Sequence, residues 1–168
     1  PHMTPPQITV PQSKLDIDLP GYAWDLLPFK SKPLDLYRSP MWHAEYDESK
    51  RTPYAAIQTS LGCRFGCNFC MINIINRNDN NEIGVASDYS SMRWWSTDFI
   101  IKEFDKLINL GVKTIRIVDE MFMLNPKYYI PLCEKLTKRN SNDNLRMWAY
   151  SRVDTIKRLE TLNLVRRA

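Results

Sequence analysis

The chain has 168 residues, with 23 Lys and Arg against 19 Asp and Glu, and therefore a formal charge of +4. This length is enough for one domain with a hydrophobic core. The basic residues are scattered, so the charge pattern does not favour nucleic acid as an obligate partner. No apolar stretch approaches the ~18 residues of a membrane span, and no signal-peptide pattern is present. We therefore expect no membrane partner.

The N-terminal third of the chain divides into two regions. Pro1 to Met3 is typical of the remnant of a cleaved expression tag. Residues 4–52 are rich in proline, since eight of the eleven prolines lie between Pro5 and Pro53. Such spacing excludes a long helix. We expect an extended leader whose aromatic residues dock onto a neighbour, and a partly ordered linker is the alternative. These aromatic residues are Tyr22, Trp24, Phe29, Tyr37 and Trp42.

The pattern from residue 53 onward predicts strands that alternate with helices. A short apolar run over 54–59 predicts the first strand, and the Asn- and Ser-rich residues 71–95 predict a long loop. Ser96 is expected to cap the helix that follows, and Gly111 is expected to end it.

Two more units of the same kind follow. Residues 114–118 predict the second strand, and Asn125 followed by Pro126 predicts the start of the second helix. Residues 146–150 predict the third strand, and Asp154 is expected to cap a third helix. This alternation indicates parallel βα units with the helices on one side of the sheet. Three units are too few to close a barrel, so we expect a piece of a larger α/β fold.

The most informative stretch is Cys63-Arg-Phe-Gly-Cys67-Asn-Phe-Cys70, which follows the first predicted strand. We call residues 63–70 the cysteine loop. Its three thiolates can bind three corners of a four-iron cluster and leave one iron open. An open coordination position is typical of a catalytic metal site. Cys133 lies alone in the second predicted helix, where a small buried side chain is expected. This use of cysteine favours a reducing, cytoplasmic location over a disulfide framework.

Polar residues follow all three predicted strands, and parallel βα folds collect functional groups at these strand ends. The first strand leads into the cysteine loop, the second into Asp119 and Glu120, and the third into Ser151 and Arg152. An amino-acid-like ligand offers an ammonium group to a carboxylate and a carboxylate to an arginine. S-adenosylmethionine is such a ligand, and its amino and carboxylate groups are suited to chelate an open iron.

Simpler interpretations stay open for each of these residues. The three cysteines with His43, the one histidine outside the tag remnant, could form a zinc site, although structural zinc usually uses two separated ligand pairs. Asp119 and Glu120 are of a type that is common in turns after strands. Arg152 is equally well placed to pair with Asp154 alone.

The C-x3-C-x-Phe-C pattern after a first strand resembles that of the radical S-adenosylmethionine enzymes, over about residues 54–168. The resemblance implies that residues 53–168 form the first half of a partial (βα)6 TIM-like barrel. It implies a [4Fe–4S] cluster on Cys63, Cys67 and Cys70. It also implies reductive cleavage of S-adenosylmethionine to a 5′-deoxyadenosyl radical, which abstracts hydrogen from a substrate.

The same resemblance implies roles for the other candidate residues. Phe69 is expected near the adenine, and Asp119 with Glu120 where the amino group of the ligand is held. Ser151 and Arg152 correspond to polar residues at the third strand end. The substrate, a small molecule or a peptide, is not specified by these residues. An electron donor such as a flavodoxin or a ferredoxin is implied.

A narrower likeness points to the cobalamin-dependent subgroup. It rests first on the segments Leu19-Pro-Gly-Tyr-Ala-Trp-Asp-Leu-Leu-Pro28, Tyr37-Arg38 and Thr59-Ser-Leu-Gly-Cys63, which resemble the junction between a cobalamin-binding domain and a radical domain. It rests also on Asp119-Glu-Met-Phe122 and Trp148-Ala-Tyr-Ser-Arg-Val-Asp154. It implies methyl transfer or related radical chemistry in the full-length protein, with cobalamin held by a domain absent from this chain. The alternatives are a non-catalytic iron–sulfur or zinc-binding module, or an inactive folding fragment. In the fragment, the third strand would be an exposed edge that could pair two copies edge to edge.

Overall fold

The fold is of the mixed α/β type. The computed structural model describes residues 14–34, 51–67, 69–72, 92–140, 144–156 and 158–168. The predictions for the tag remnant, Tyr37, Trp42 and His43 lie outside the described residues, and so does most of the loop predicted over 71–95. No helix in the described part of the chain is both long and apolar enough to cross a membrane.

Helices and strands alternate along the second half of the chain. The helices are α1 (Leu15–Asp18), α2 (Thr97–Asn109), α3 (Pro126–Thr137) and α4 (Leu159–Arg167). The strands are β1 (Tyr54–Ile57), β2 (Ser60–Leu61), β3 (Arg93–Trp94), β4 (Thr114–Ile117) and β5 (Arg146–Ala149). Short 3₁₀ turns cover Trp24–Leu26, Phe122–Leu124 and Val153–Thr155.

The main sheet is parallel and has three strands in the order β1-β4-β5. Ala55 of β1 lies beside Ile115 of β4, and Ile115 lies beside Met147 of β5. Side chains alternate between the two faces of a strand, so these residues share one face with Ile57 and Ile117, and that face packs against the helices. The predicted parallel βα units are therefore confirmed. The described residues form an open sheet and not a closed barrel.

Helix α2 has the limits that its capping residues predict. The Ser96 hydroxyl accepts a hydrogen bond from the Phe99 backbone N–H at 3.1 Å. Gly111, with φ of +85°, ends the last turn in the left-handed region that favours glycine. Phe104 and Leu107 are fully buried against the sheet. At the start of α3, the Asn125 side chain accepts from the Lys127 N–H at 3.2 Å, as its place before Pro126 predicts.

Two predictions about local structure are wrong. Residues 93–94, assigned to a loop, form β3, which pairs antiparallel with β2. A two-residue strand has too few positions to show a period, which is why the sequence pattern does not reveal it. Asp154 does not cap the last helix, because its carboxylate is bound by Arg152. Helix α4 instead begins five residues later, and the side chain of Arg158 at its N-terminus makes no capping hydrogen bond.

The leader packs onto this chain's own α2. Trp24 and Phe29 are buried, and the Tyr22 ring stacks on Trp24 with centroids 4.6 Å apart. The Trp24 indole N–H donates to Glu103 Oε2 at 2.7 Å, which ties the leader to a carboxylate that is itself buried. The docking predicted for these three aromatic residues is confirmed. The described part of the leader contains only short helical turns, as its prolines predict.

Candidate cysteine-loop site

Asp119 lies two residues beyond the end of β4 and is 1% exposed. Its Oδ1 accepts the backbone N–H of Thr59 at 2.6 Å. Its Oδ2 accepts the hydroxyls of Thr59 and Ser60, at 2.6 and 2.8 Å. Both oxygens of Asp119 therefore hold the segment that connects β1 to the cysteine loop. An amino group of a ligand would have to displace these hydrogen bonds.

The electrostatic state of Asp119 reflects this burial. Desolvation raises the pKa of its carboxyl group above the ordinary value of 3.8, and the hydrogen bonds from Thr59 and Ser60 oppose the rise. The charged form is therefore held by its donors against an apolar environment. This balance makes Asp119 a structural anchor of the edge at which the candidate site lies.

Glu120, the next residue, has a different environment. It is half-buried, and desolvation is the main cause that raises its pKa, with the charge of Asp119 adding to the rise. Hydrogen bonds from the backbone of Glu120 and Gly62, and the charge of Arg93, act in the opposite direction. Its Oε2 is buried and has no hydrogen-bond partner among the described residues. Glu120 thus has an acceptor atom that a cationic ligand group could use.

The cysteine loop begins after Gly62, whose φ of +92° turns the chain away from β2. The Cys70 N–H donates to the Cys67 carbonyl at 3.0 Å, which bends the loop back between its second and third cysteines. Cys63 is buried, and Cys67 and Cys70 are half-buried. The structure describes all four cysteines of the chain, and none of them forms a disulfide. The loop therefore retains three thiols for metal binding.

The thiols of Cys67 and Cys70 lie within electrostatic range of Cys63. Burial is the largest cause that raises the pKa of Cys63, and the charges of Cys70, Cys67 and Glu120 raise it further. In the ranges that the structure describes, no group of three or more His, Cys, Asp or Glu side chains is arranged to hold a metal ion. The sulfur atoms thus share one loop without forming a closed ligand cage.

Arg152 joins the third strand end to this loop. Its guanidinium binds both Asp154 oxygens, at 2.9 and 2.7 Å, and lies 4.3 Å from the centroid of the Phe65 ring. The Asp154 carboxylate is the main cause that raises the pKa of Arg152, and the charges of Cys67 and Cys63 add smaller effects of the same sign. The pairing with Asp154, which the sequence left open, is therefore observed. The same guanidinium also lies over the loop.

The remaining candidate residues are on the outside of the site. Phe69 is 88% exposed, so its ring is available to a ligand. Ser151 is exposed, and its hydroxyl lies 2.9 Å from that of Thr155. Neither residue contributes to the core. Glu120 and Arg152 thus lie within electrostatic range of Cys63, while Ser151 makes its contact with the following turn.

Sequence reasoning missed some residues of this region. Thr59 donates to Asp119, and Arg93 lies within electrostatic range of Glu120. No local pattern marks these interactions, since the partners are 60 and 27 residues away in the chain. A cavity of about 530 Å³ adjoins the loop at Arg64 and Phe65. Its other walls come from the turn before α3, from α3, from the 3₁₀ turn at Val153–Thr155 and from the start of α4. Only the folded chain assembles such a cavity.

The comparisons with known proteins add no family assignment. No family model matches this chain, and no curated protein matches it. The fold and the site define an α/β protein with a thiol-bearing loop, an acid and an arginine at one edge of a parallel sheet. Any narrower assignment therefore depends on the residues themselves.

Proposed function

We propose that this chain is part of a radical S-adenosylmethionine enzyme of the cobalamin-dependent subgroup. The observation that supports this most is that three loop cysteines outside any disulfide follow a strand of a parallel sheet, with Glu120 and Arg152 in electrostatic range of Cys63. In this proposal the open sheet is the first half of a partial (βα)6 barrel. Further strands would extend it beyond β5.

The donor set fits an iron–sulfur cluster chemically. Cys63, Cys67 and Cys70 lie on one loop and form no disulfide, and thiolates are the usual ligands of a [4Fe–4S] cluster. Because these sulfurs form no closed cage among the described residues, binding requires the loop to draw them together. When bound, the cluster would supply the electron that cleaves the sulfonium of S-adenosylmethionine.

Each of the other residues would bind or orient the ligand. The buried Oε2 of Glu120 would accept a hydrogen bond from the amino group, which would satisfy an otherwise unpaired acceptor. The exposed ring of Phe69 would cover the adenine. Arg152 would either exchange Asp154 for the carboxylate of the ligand or keep the loop in place through Phe65. Ser151 would contribute a hydroxyl at the same strand end.

The partners of the proposed enzyme follow from its chemistry. A flavodoxin or a ferredoxin would reduce the cluster, and a separate domain would hold cobalamin for methyl transfer or related radical chemistry. The chain would act in the cytoplasm, where its thiols stay reduced. As an isolated piece, two copies could pair through the exposed β5 edge. Size-exclusion chromatography with light scattering tests this, and a soluble monomer would contradict edge pairing.

The cluster is tested by anaerobic reconstitution with iron and sulfide, followed by electron paramagnetic resonance of the reduced protein with and without S-adenosylmethionine. We expect about four iron atoms per chain and a signal that changes when S-adenosylmethionine is added. Cys67→Ala should lose the cluster. Cys133→Ala is the matched control, because Cys133 is fully buried in α3 and burial raises its pKa to about 12.

Three outcomes would argue against the proposal in different ways. A Cys67→Ala variant with full iron and sulfide content would disprove the ligand assignment. A cluster signal that does not respond to S-adenosylmethionine would indicate a non-catalytic iron–sulfur module. Zinc in place of iron, with the three loop cysteines protected from alkylation, would indicate a structural zinc module.

A further inference from the structure

The parallel sheet has a second face that does not pack against the helices. Tyr54 of β1, Arg116 of β4 and Trp148 of β5 alternate with the buried residues of their strands and therefore point away from the core. Arg116 and Trp148 are direct neighbours across β4 and β5. None of these three side chains belongs to the core cluster of described residues. We call this surface the outer sheet face.

The Arg116 guanidinium is held in one orientation on this face. It lies 4.7 Å from the Trp148 ring centroid and 5.3 Å from that of Tyr150. Its Nη2 donates to the Tyr150 hydroxyl at 3.0 Å, and its charge lies close enough to Tyr54 to oppose the rise that burial causes in the pKa of that hydroxyl. The Trp148 and Tyr150 rings meet edge to face, with centroids 4.5 Å apart. A planar cation that is fixed in this way loses little conformational entropy when it binds a ligand.

The charges on the outer sheet face have one sign. Its positions on the three strands carry Arg116 and Arg146, and none of the described positions of this face on β1, β4 and β5 is acidic. Hydroxyl groups of Tyr54 and Thr114 lie on the same face. Charge complementarity therefore favours an anionic ligand. The planar fork of a guanidinium matches the geometry of a carboxylate, to which it can donate two hydrogen bonds.

We propose that the outer sheet face binds the carboxylate of a small molecule, with Arg116 as the residue that recognises it. Trp148 and Tyr150 fix the guanidinium and shield one side of it from water, which strengthens its interaction with an anion. The site depends on the sheet and not on the cysteine loop. Only the identity of the ligand rests on the proposed function: if that function is correct, the carboxylate belongs to the substrate of the enzyme.

The proposal is tested on the chain without a cluster, by fluorescence titration and saturation-transfer NMR. The probes are benzoate, the uncharged analogue benzamide, and inorganic phosphate. We expect benzoate to bind and benzamide to bind at least about tenfold more weakly, since hydrogen bonds to charged groups are the stronger ones. Phosphate that binds better than benzoate would overturn the carboxylate assignment and identify a phosphate site.

The variants separate recognition from folding. Arg116→Gln should weaken benzoate binding about tenfold or more, and Arg116→Lys, which keeps the charge but not the fork, should be intermediate. Arg139→Gln is the matched control, because Arg139 pairs with Asp105 on the helical side, at 2.7 Å. Equal binding of benzoate to the Arg116→Gln and unaltered chains would overturn the proposal. So would equal binding of benzoate and benzamide.

These results are independent of the cluster experiment. Benzoate binding without cluster assembly would support the carboxylate site and disprove the proposed function. Cluster assembly without benzoate binding would support the proposed function and disprove the carboxylate site. Thermal unfolding followed by circular dichroism shows whether each variant is folded. If Arg116→Gln does not fold, the binding of benzoate to Arg116→Lys tests the proposal instead.

Discussion

Replacement of Asp119 by alanine should destabilise the protein more than any other single change at the carboxyl edge of the sheet. The substitution removes the acceptors of three hydrogen bonds, from the Thr59 N–H, the Thr59 hydroxyl and the Ser60 hydroxyl. Thr59 is fully buried and Ser60 is 1% exposed, so water cannot replace the carboxylate without entering the core. The donors would be left without partners.

The size of the effect follows from the three donors. A buried backbone N–H without an acceptor costs about 1–3 kcal/mol, and each hydroxyl, which can rotate toward another acceptor, costs about 1 kcal/mol. Removal of the buried charge offsets part of this loss of stability, because desolvation already disfavours the ionised carboxylate. The net loss in the free energy of unfolding should be about 3 kcal/mol. That is a large share of the roughly 5–15 kcal/mol of a typical domain.

The stability should also depend on pH through this group. Burial raises the folded-state pKa of Asp119 above 3.8, so the folded protein binds the proton more tightly than the unfolded chain. The contribution of this group is therefore fully present below the unfolded pKa and is lost as pH rises through the folded pKa. Asp119→Asn, which keeps the shape but does not titrate, should lack this decline.

Urea denaturation at neutral pH and at several lower values measures both effects. We expect Asp119→Ala to lower the midpoint without a change in slope, and Asp119→Asn to lose about 1 kcal/mol at neutral pH, because it keeps an acceptor for the Thr59 N–H. Asp154→Asn, in an exposed ion pair, is the control and should differ little from the unaltered chain. An Asp119→Ala protein within about 0.5 kcal/mol of the unaltered chain would refute the reasoning.

Two further predictions concern the docking of the leader on α2. The Trp24 indole N–H and the Lys106 ammonium both donate to Glu103 at 2.7 Å. Glu103→Gln should lower the free energy of unfolding by about 1–3 kcal/mol, because its amide would direct a donor at one of these two groups. Chemical denaturation measures this loss, and Trp24→Phe, which removes the same indole hydrogen bond, is the companion variant. Gly21→Ala should be destabilising by about 1 kcal/mol or more, since Gly21 has φ of +126° and an added Cβ would lie 3.0 Å from Glu103 Oε1. Gly66→Ala is the control, because its Cβ would meet nothing within 4 Å. Equal thermal stability of the two alanine variants would contradict the proposed packing.

The helices and the main sheet are predictable because their signals are local. Ser96 and the Asn125-Pro126 pair mark helix starts through bonds that span two or three residues. The short apolar runs of β1 and β4 give two strands that are correct to within two residues. Asp154 shows the limit of such signals, since the same carboxylate can cap a helix or pair with a nearby arginine. Here the ion pair with Arg152 is formed instead.

The buried polar contacts depend on residues that are distant in sequence. The spacing of Glu103 from Ile100 and Leu107 places its carboxylate on the apolar face of α2, where it is 1% exposed. Its partner, Trp24, lies 79 positions earlier and cannot be inferred from the helix pattern. The sequence pattern places Thr59 in the first strand and assigns it no contact, although its three hydrogen bonds with Asp119 and Tyr128 hold the end of that strand in place. Contacts of this kind arise only when two segments pack together, so no window of sequence contains them.

The acidic pair at the end of β4 shows how the structure refines the candidate site. The sequence predicts Asp119 and Glu120 as one unit, because it contains no information on which side of the chain each carboxylate lies. In the fold, Asp119 turns inward, and donors from the end of β1 satisfy both its oxygens. Glu120 keeps a buried oxygen without a partner among the described residues and lies within electrostatic range of Cys63. An unsatisfied buried acceptor lowers the cost of binding a cation, whereas a satisfied one must first give up its donors. The amino group of a ligand at the cysteine loop should therefore depend on Glu120, and Asp119 should contribute by holding the strand end from which that loop begins.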